Sequence, residues 1–293
     1  MTDTTDTSGD TITETVRAVS YRDSPLNSLH GLHLFDDIMN VDTEQELLKY
    51  INSIIQAKSE TVTGDASTKP SNMEVKSRTC IHFGHVFDPV TLKVATSPNE
   101  NNDSKNTTSS KTTIPQMLRS VVSDIFNKSG LDLLKSWSYD QITINQYSSE
   151  RKSGIGSHVD THSVFDDLIV VISLGAPTVL RFDLPDPRTT PIDQSVKSRV
   201  LYNPDPVLPI RVDLWVKPRS LLIMSGMSRY LYKHRIQVRR FDVDPEGSTI
   251  KREVRTSITI RKVRTDGKCE CSYPVMCDYQ NPASLHVPDR LGK

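Results

Sequence analysis

Arg255-Thr-Ser-Ile-Thr-Ile-Arg261 alternates polar and apolar residues with a period of two. That is the period of a β-strand, whose successive side chains leave on opposite faces. Arg255, Ser257, Thr259 and Arg261 therefore share one face, and Thr256, Ile258 and Ile260 the other. Two arginines on an inward face are costly unless each meets an acid or an anionic ligand. Around this stretch, the chain from Tyr139 onward reads as short strands divided by turns, at 141–147, 156–160, 168–174, 178–183, 212–216, 220–225 and 253–263. Ahead of them lie two helical patterns. One starts at Asp42, read as N-cap with Gln45 at N3, and carries Leu47, Leu48, Ile51, Ile54 and Ile55. The other spans 114–129 with Ile114, Leu118, Val121, Val122, Ile125 and Phe126. The segment 32–35 reads as a first folded element, and 79–87, which holds Cys80, as β-like. The expected fold class is α+β: a double-stranded β-helix, or jelly roll, flanked by N-terminal helices.

The 293 residues, 35% of them hydrophobic, suit one large domain with insertions. Its expected bounds are 28–285, between a disordered tail at 1–27 and a short tail at 286–293. A low-complexity insertion is expected at 97–113 and a Pro-rich connection at 184–209. Basic and acidic residues balance at 36 each, which excludes a global basic field. A local one remains open, because Lys217, Arg219, Arg229, Lys233, Arg235, Arg239, Arg240, Arg255, Arg261, Lys262 and Arg264 crowd the C-terminal third, and Lys217, Arg219, Arg239, Arg240, Lys262 and Arg264 could hold phosphates. They read equally as a solvated face or as phosphate ligands. No apolar run is long enough to span a bilayer, and the polar N-terminal residues form neither a secretory signal nor a transit peptide. Three of the four cysteines cluster, which favours a metal site in a reducing compartment over disulfides. The expectation is the cytoplasm, with the nucleus as a second location.

His158-Val-Asp160, followed far along the chain by His234, has the make-up of a two-histidine, one-carboxylate triad. Such a triad binds Fe(II) on one face and leaves positions open. Oxygen activation there needs two further electrons, which 2-oxoglutarate supplies by decarboxylation. Its far carboxylate suits an arginine, whose planar fork donates two parallel bonds. Arg255 and Arg261 offer that fork, and Asn145 and Tyr147 share a strand face that could reach the same carboxylates. A second set is Cys269-x-Cys271 with Cys277, three thiolates that suit Zn(II) and want a fourth ligand. His162 is the strongest fourth, ahead of Cys80 and His286. On an ideal strand, however, His162 would face the same way as Asp160. The residues alone thus leave two assignments open: His162 with the thiolates, or His162 as third iron ligand and His234 as a bystander.

Together these motifs resemble the AlkB family of Fe(II)- and 2-oxoglutarate-dependent dioxygenases, over about residues 30–279. The stretches His158-Val-Asp-Thr-His-Ser-Val-Phe-Asp-Asp-Leu-Ile-Val, Arg219-Ser-Leu-Leu-Ile-Met-Ser-Gly-Met-Ser-Arg-Tyr-Leu and Cys269-Glu-Cys-Ser-Tyr-Pro-Val-Met-Cys277 look in particular like the branch of the eighth AlkB homologue. That branch hydroxylates 5-methoxycarbonylmethyluridine at the wobble position of tRNA. The resemblance implies iron on His158, Asp160 and His234, and the distal carboxylate of 2-oxoglutarate on Arg255. Arg261, Asn145 and Tyr147 would complete that pocket. It implies zinc on His162, Cys269, Cys271 and Cys277, and tRNA as partner. Neither an RNP-type motif nor a Gly-rich methyl-donor loop occurs, so any methyltransferase is expected as a separate protein. Three departures stand out: a longer segment before His158, His85 where the branch has Tyr, and Arg235 where it has Gly. Other readings are an oxidative demethylase of N-alkylated bases, a catalytically degenerate, zinc-stabilised RNA-binding module, and, more weakly, a protein- or lipid-directed oxygenase.

Overall fold

Leu47 and Ile51 on one helix, and Leu118, Val122 and Ile125 on another, are almost wholly withdrawn from water. They pack on Ile81, Ile142, Ile144, Ile172, Ile258 and Ile260, which come from strands. A helical stripe and one face of a sheet thus bury each other, and this layer is the larger core. The computed structural model describes residues 29–60, 74–75, 78–88, 93–94, 112–148, 150, 152–186, 190–192 and 208–286. The expected tail at 1–27 lies outside them, as do most of the expected insertion at 97–113 and most of the Pro-rich connection at 184–209.

The helices are α1 (Val41–Glu60), α2 (Gln116–Lys128), α3 (Asp132–Lys135) and α4 (Gly226–Tyr230). Asp42 is not the N-cap of α1. Asn40 is, because its Oδ1 accepts the Thr43 N–H at 2.8 Å and so satisfies a free donor of the first turn. In chain order the strands begin with β1 (Leu32–Phe35), β2 (Glu74–Val75), β3 (Arg78–Gly84), β4 (Phe87–Asp88), β5 (Lys93–Val94), β6 (Gln141–Tyr147), β7 (Ser153–His158) and β8 (Phe165–Gly175). There follow β9 (Thr178–Asp183), β10 (Arg211–Val216), β11 (Ser220–Met224), β12 (Lys233–Arg239), β13 (Phe241–Val243), β14 (Thr249–Lys251) and β15 (Arg255–Val263).

A seven-stranded sheet has the order β1-β11-β8-β15-β6-β3-β2, and a four-stranded sheet the order β10-β9-β12-β7. Pairing within both is antiparallel. The two sheets face each other across a second core, in which Ile169, Leu222 and Met224 of the large sheet meet Leu180, Phe182, Leu214 and Ile236 of the small one. This is a sandwich of antiparallel sheets with helices on the outer face of the larger, the jelly-roll arrangement expected. Among the described residues no helix is long and apolar enough to cross a membrane.

Two expectations need correction. The strand placed at 156–160 runs instead over Ser153–His158, so Asp160 lies beyond its end, and part of the apparent long loop before His158 is strand. β12, which carries His234, was not expected at all, nor was α4. β7 and β12 approach so closely at Gly154 that a Cβ there would sit 2.4 Å from the Ile236 carbonyl oxygen. Only glycine allows that crossing.

A buried carboxylate pins the short hairpin β13–β14 to the small sheet. Asp242 accepts from Arg252 Nε at 2.7 Å, Arg239 Nε at 2.7 Å and the Val179 N–H at 3.2 Å. Burial opposes its ionisation, but the hydrogen bonds and charge of Arg252 and Arg239 win and hold it below the ordinary 3.8. Because the folded value is depressed, this stabilisation is present above pH 3.8 and is lost as pH falls through the folded value. Asp242→Asn should cost about 3 kcal/mol in urea unfolding at neutral pH, since it leaves a buried arginine without its counter-charge. The difference between variant and wild type should shrink in acid.

Candidate metal and co-substrate site

His158 ends β7 directly across from His234 on β12, as Cα partners in the antiparallel ladder. Partners in a ladder project to the same face, and the two imidazoles lie 4.3 Å apart, centroid to centroid. Asp160 joins them from just past the strand, so the chain's turn brings it in, not strand alternation. The donor atoms of His158, Asp160 and His234 lie within 4.8 Å of one another. His158 Nδ1 is 2.8 Å from the Gly156 carbonyl oxygen, which leaves Nε2 for the site. Asp160 Oδ1 accepts from Arg261 Nη2 at 2.7 Å. Asp160 Oδ2 is buried with no hydrogen-bond partner and faces His234 Nε2 at 3.8 Å.

The electrostatics suit a cation. Burial, then the neighbouring His158, pushes His234 down to about 3, against the pull of Asp160. Burial also lowers His158. Both rings are therefore neutral and keep a lone pair for a metal. Burial opposes the charge on Asp160, yet Arg261, His234, His158 and Arg229 hold its carboxyl well below the usual range. An ionised, buried oxygen without a partner is expensive, and a divalent metal would supply what it lacks.

Beside this group stands a wall of the large sheet. Arg255 is paired across to Tyr147, and Ser257 to Asn145, so all four share the inward face. Arg255 is buried, donates Nη2 to Ser173 Oγ at 2.8 Å, and lies 5.3 Å from the Tyr147 ring centre. Its Nε and Nη1 have no hydrogen-bond partner. A buried guanidinium with two free donors fits the forked carboxylate of a dicarboxylic acid. Arg261 differs, since its Nη2 is taken by Asp160 and it lies over the Phe165 ring at 4.7 Å, with only Nε unpartnered.

The second metal-ligating group gathers His162, Cys269, Cys271 and Cys277, again with donor atoms within 4.8 Å. The chain bends after Asp160, so His162 turns away from the triad. Its Nδ1 is 3.4 Å from Cys271 Sγ. Hydrogen bonds from Cys269 and Cys271 push Cys277 down to about 3, while the same crowding raises Cys271. Three thiols and an imidazole this close favour a thiolate-binding cation. Cys80 lies elsewhere, 3.4 Å from His82 Nε2.

Sequence reasoning missed several residues. Arg229 is buried and donates to the backbone around Asp160, and Ser173 orients Arg255. Arg78 donates Nε to Asn145 Oδ1 at 2.8 Å. The alternation Arg78-x-Cys80-x-His82 was a legible signal, because it puts Arg78 on the same face as the partner of Cys80, Asn145. Of the six basic residues read as possible phosphate ligands, four are paired to acids. Lys217 meets Asp36, Arg219 meets Glu44, Arg239 meets Asp242, and Arg264 meets Asp166 and Asp167. Of the six, only Arg240 and Lys262 form no ion pair with an acid among the described residues. Two departures from the family pattern also have partners: His85 faces Asp140 at 3.9 Å, and Arg235 faces Asp183 at 3.2 Å, outside the triad.

The family model of the 2OG-Fe(II) oxygenase superfamily matches residues 31–261, most of the chain and both halves of this site. The chain belongs to that superfamily. It is a 2-oxoglutarate-dependent dioxygenase by that membership. The oxygenase is also similar to three ALKBH8 relatives. It is 32% identical over 90% of its length to "tRNA (carboxymethyluridine(34)-5-O)-methyltransferase alkbh8" of Xenopus tropicalis, of which it covers 36%. It is 33% identical over 85% of its length to the protein named likewise from Macaca fascicularis, of which it covers 33%. It is 29% identical over 89% of its length to "Alkylated DNA repair protein ALKBH8 homolog" of Arabidopsis thaliana, of which it covers 66%. The oxygenase thus spans about a third of the length of the first two. Replacing Arg255 by Ala should weaken 2-oxoglutarate binding at least about 10-fold, since the far carboxylate would enter a buried site without its charge partner. Arg255→Lys should recover only part, for want of the second donor. Titration calorimetry of Mn(II)-loaded protein with 2-oxoglutarate measures both.

Proposed function

We propose that the oxygenase hydroxylates a modified wobble uridine, 5-methoxycarbonylmethyluridine, in the anticodon loop of tRNA. The observation that carries its chemistry is the convergence of His158, Asp160 and His234 beside an arginine with two free donors. His158, Asp160 and His234 would hold Fe(II). With 2-oxoglutarate and O2, the bound metal supplies oxygen insertion into a C–H bond, with decarboxylation to succinate. The chain's own residues do the rest. Arg261 fixes one oxygen of Asp160 and so aims the other at the metal. Ser173 and Tyr147 hold Arg255, which would anchor the far carboxylate of 2-oxoglutarate, with Asn145 completing the wall.

The substrate assignment is supported by the names of the vertebrate relatives, methyltransferases of carboxymethyluridine 34 in tRNA, and by the sequence resemblance to the wobble-uridine branch. An anticodon-loop base is already unstacked, so drawing it into a pocket costs little. With four of the six candidate phosphate ligands paired to acids, affinity for tRNA would rest on loop shape more than on phosphate contacts. A methyltransferase activity would supply the ester, in the cytoplasm or nucleus. His162, Cys269, Cys271 and Cys277 would bind Zn(II) and tie the C-terminal segment to the turn after Asp160. Stripping zinc should lower the melting temperature by several degrees, and readdition should restore it. The Arabidopsis relative's name favours a second reading, oxidative demethylation of an alkylated base.

Mass spectrometry of tRNA nucleosides decides between them. Cells lacking the protein, or carrying Asp160→Ala, should lose the hydroxylated uridine and accumulate its unhydroxylated precursor. Accumulation of an N-methylated base with the hydroxylated uridine intact would establish the second reading. Failure of the purified Fe(II) protein to make succinate with any tRNA would overturn the wobble-uridine reading and favour the degenerate RNA-binding module.

A further inference from the structure

Arg229 heads the largest fully buried side chains of the molecule. Its donors go to backbone oxygens: Nη1 to Asp160 at 2.7 Å, Nη2 to Phe165 at 3.0 Å and Thr161 at 3.3 Å, and Nε to Asp166 at 3.3 Å. The four acceptors bracket the turn at 162–164, Asp160 and Thr161 before it and Phe165 and Asp166 at the start of β8, and this segment carries one member of each metal-ligating group, Asp160 and His162. The far side of Arg229 looks toward the cysteines. Its guanidinium lies 4.7 Å from the centre of the Tyr230 ring. Tyr230 packs with Cys269 and Cys277 and meets His162 edge-on at 4.8 Å. Asp278, next to Cys277, grips the same turn from outside, accepting the N–H of His162 at 2.6 Å and of Ser163 at 3.2 Å.

A buried guanidinium is tolerated only while its donors are satisfied. Here four carbonyls arranged around one turn satisfy them, so a single turn shape fits. Lysine cannot replace the fork, because a compact ammonium does not span that arc. We infer that Arg229 is a positioning residue that couples the two metal-ligating groups: filling the Cys/His group fixes the turn that aims Asp160, and so raises the affinity of the His158/Asp160/His234 group for its divalent metal. This rests on the zinc reading above.

The probe is Mn(II), a hard cation that oxygen and imidazole ligands accept and thiolates disfavour. Its binding to the full chain is followed by loss of the free-ion electron paramagnetic resonance signal. In zinc-loaded protein, Arg229→Lys should weaken Mn(II) about 10–100-fold while retaining zinc. Removing zinc from wild type should weaken Mn(II) by a similar factor, and removing it from Arg229→Lys should add little, as expected of one shared element. If Arg229→Lys does not fold by circular dichroism, Asp278→Ala removes the acceptor of both N–H groups, releases the same turn from the other side and should give the same pattern. A folded, zinc-retaining variant that binds Mn(II) like wild type overturns the coupling alone. Wild-type protein that takes up no zinc overturns the zinc reading and the coupling together.

Discussion

The strand Arg255–Val263 sits between two others in the large sheet and must satisfy two opposed environments at once. Ile258 and Ile260 close the core beneath the helices, and one residue on either side of each the chain places a polar or charged group inside the sandwich. A slip of one residue would put arginines under the helices and isoleucines in the site. The register with β6 and β8 therefore fixes helix packing and site chemistry together. Everything inward follows from finding partners for those arginines.

Those partners divide the labour. Arg261 stays with Asp160 and leaves one carboxylate oxygen buried and free. Arg255 keeps one bond to Ser173 and leaves two donors free. A fold whose stability alone mattered would gain from pairing these atoms internally. Their being left over, buried inside the sandwich, is what a site that takes a metal and an anion would require. The turn after Asp160 adds a second constraint, because one short segment supplies both the triad and the Cys/His group, with Arg229 beneath it.

Much of this was legible. Period-two alternation marked the central strands because each is buried on two chemically different faces, and the helices showed their core stripes through Leu47, Ile51, Leu118 and Ile125. The His-x-Asp and Cys-x-Cys spacings marked the metal-ligating residues, since such donors repeat at short range whatever the fold. The strand of His234 was hidden by its composition. Lys233-His-Arg-Ile-Gln-Val-Arg239 is mostly polar because its outward positions face solvent, and only His234 and Ile236 are buried. Arg229 was hidden for another reason. Its partners are backbone oxygens 63 to 69 residues earlier, and backbone carries no residue-specific signal.

The sequence by itself determined which residues alternate inward, which donors are available and which superfamily pattern they fit, because these depend on local spacing and side-chain chemistry. Tertiary structure alone decided that His162 joins the thiols while His234 joins His158 and Asp160. That choice turns on a bend after Asp160 and on the ladder pairing of His158 with His234. It also decided that Arg261 pairs with Asp160 while Arg255 keeps Nε and Nη1 unpartnered. Those outcomes depend on contacts between segments far apart in the chain, and no local period encodes them.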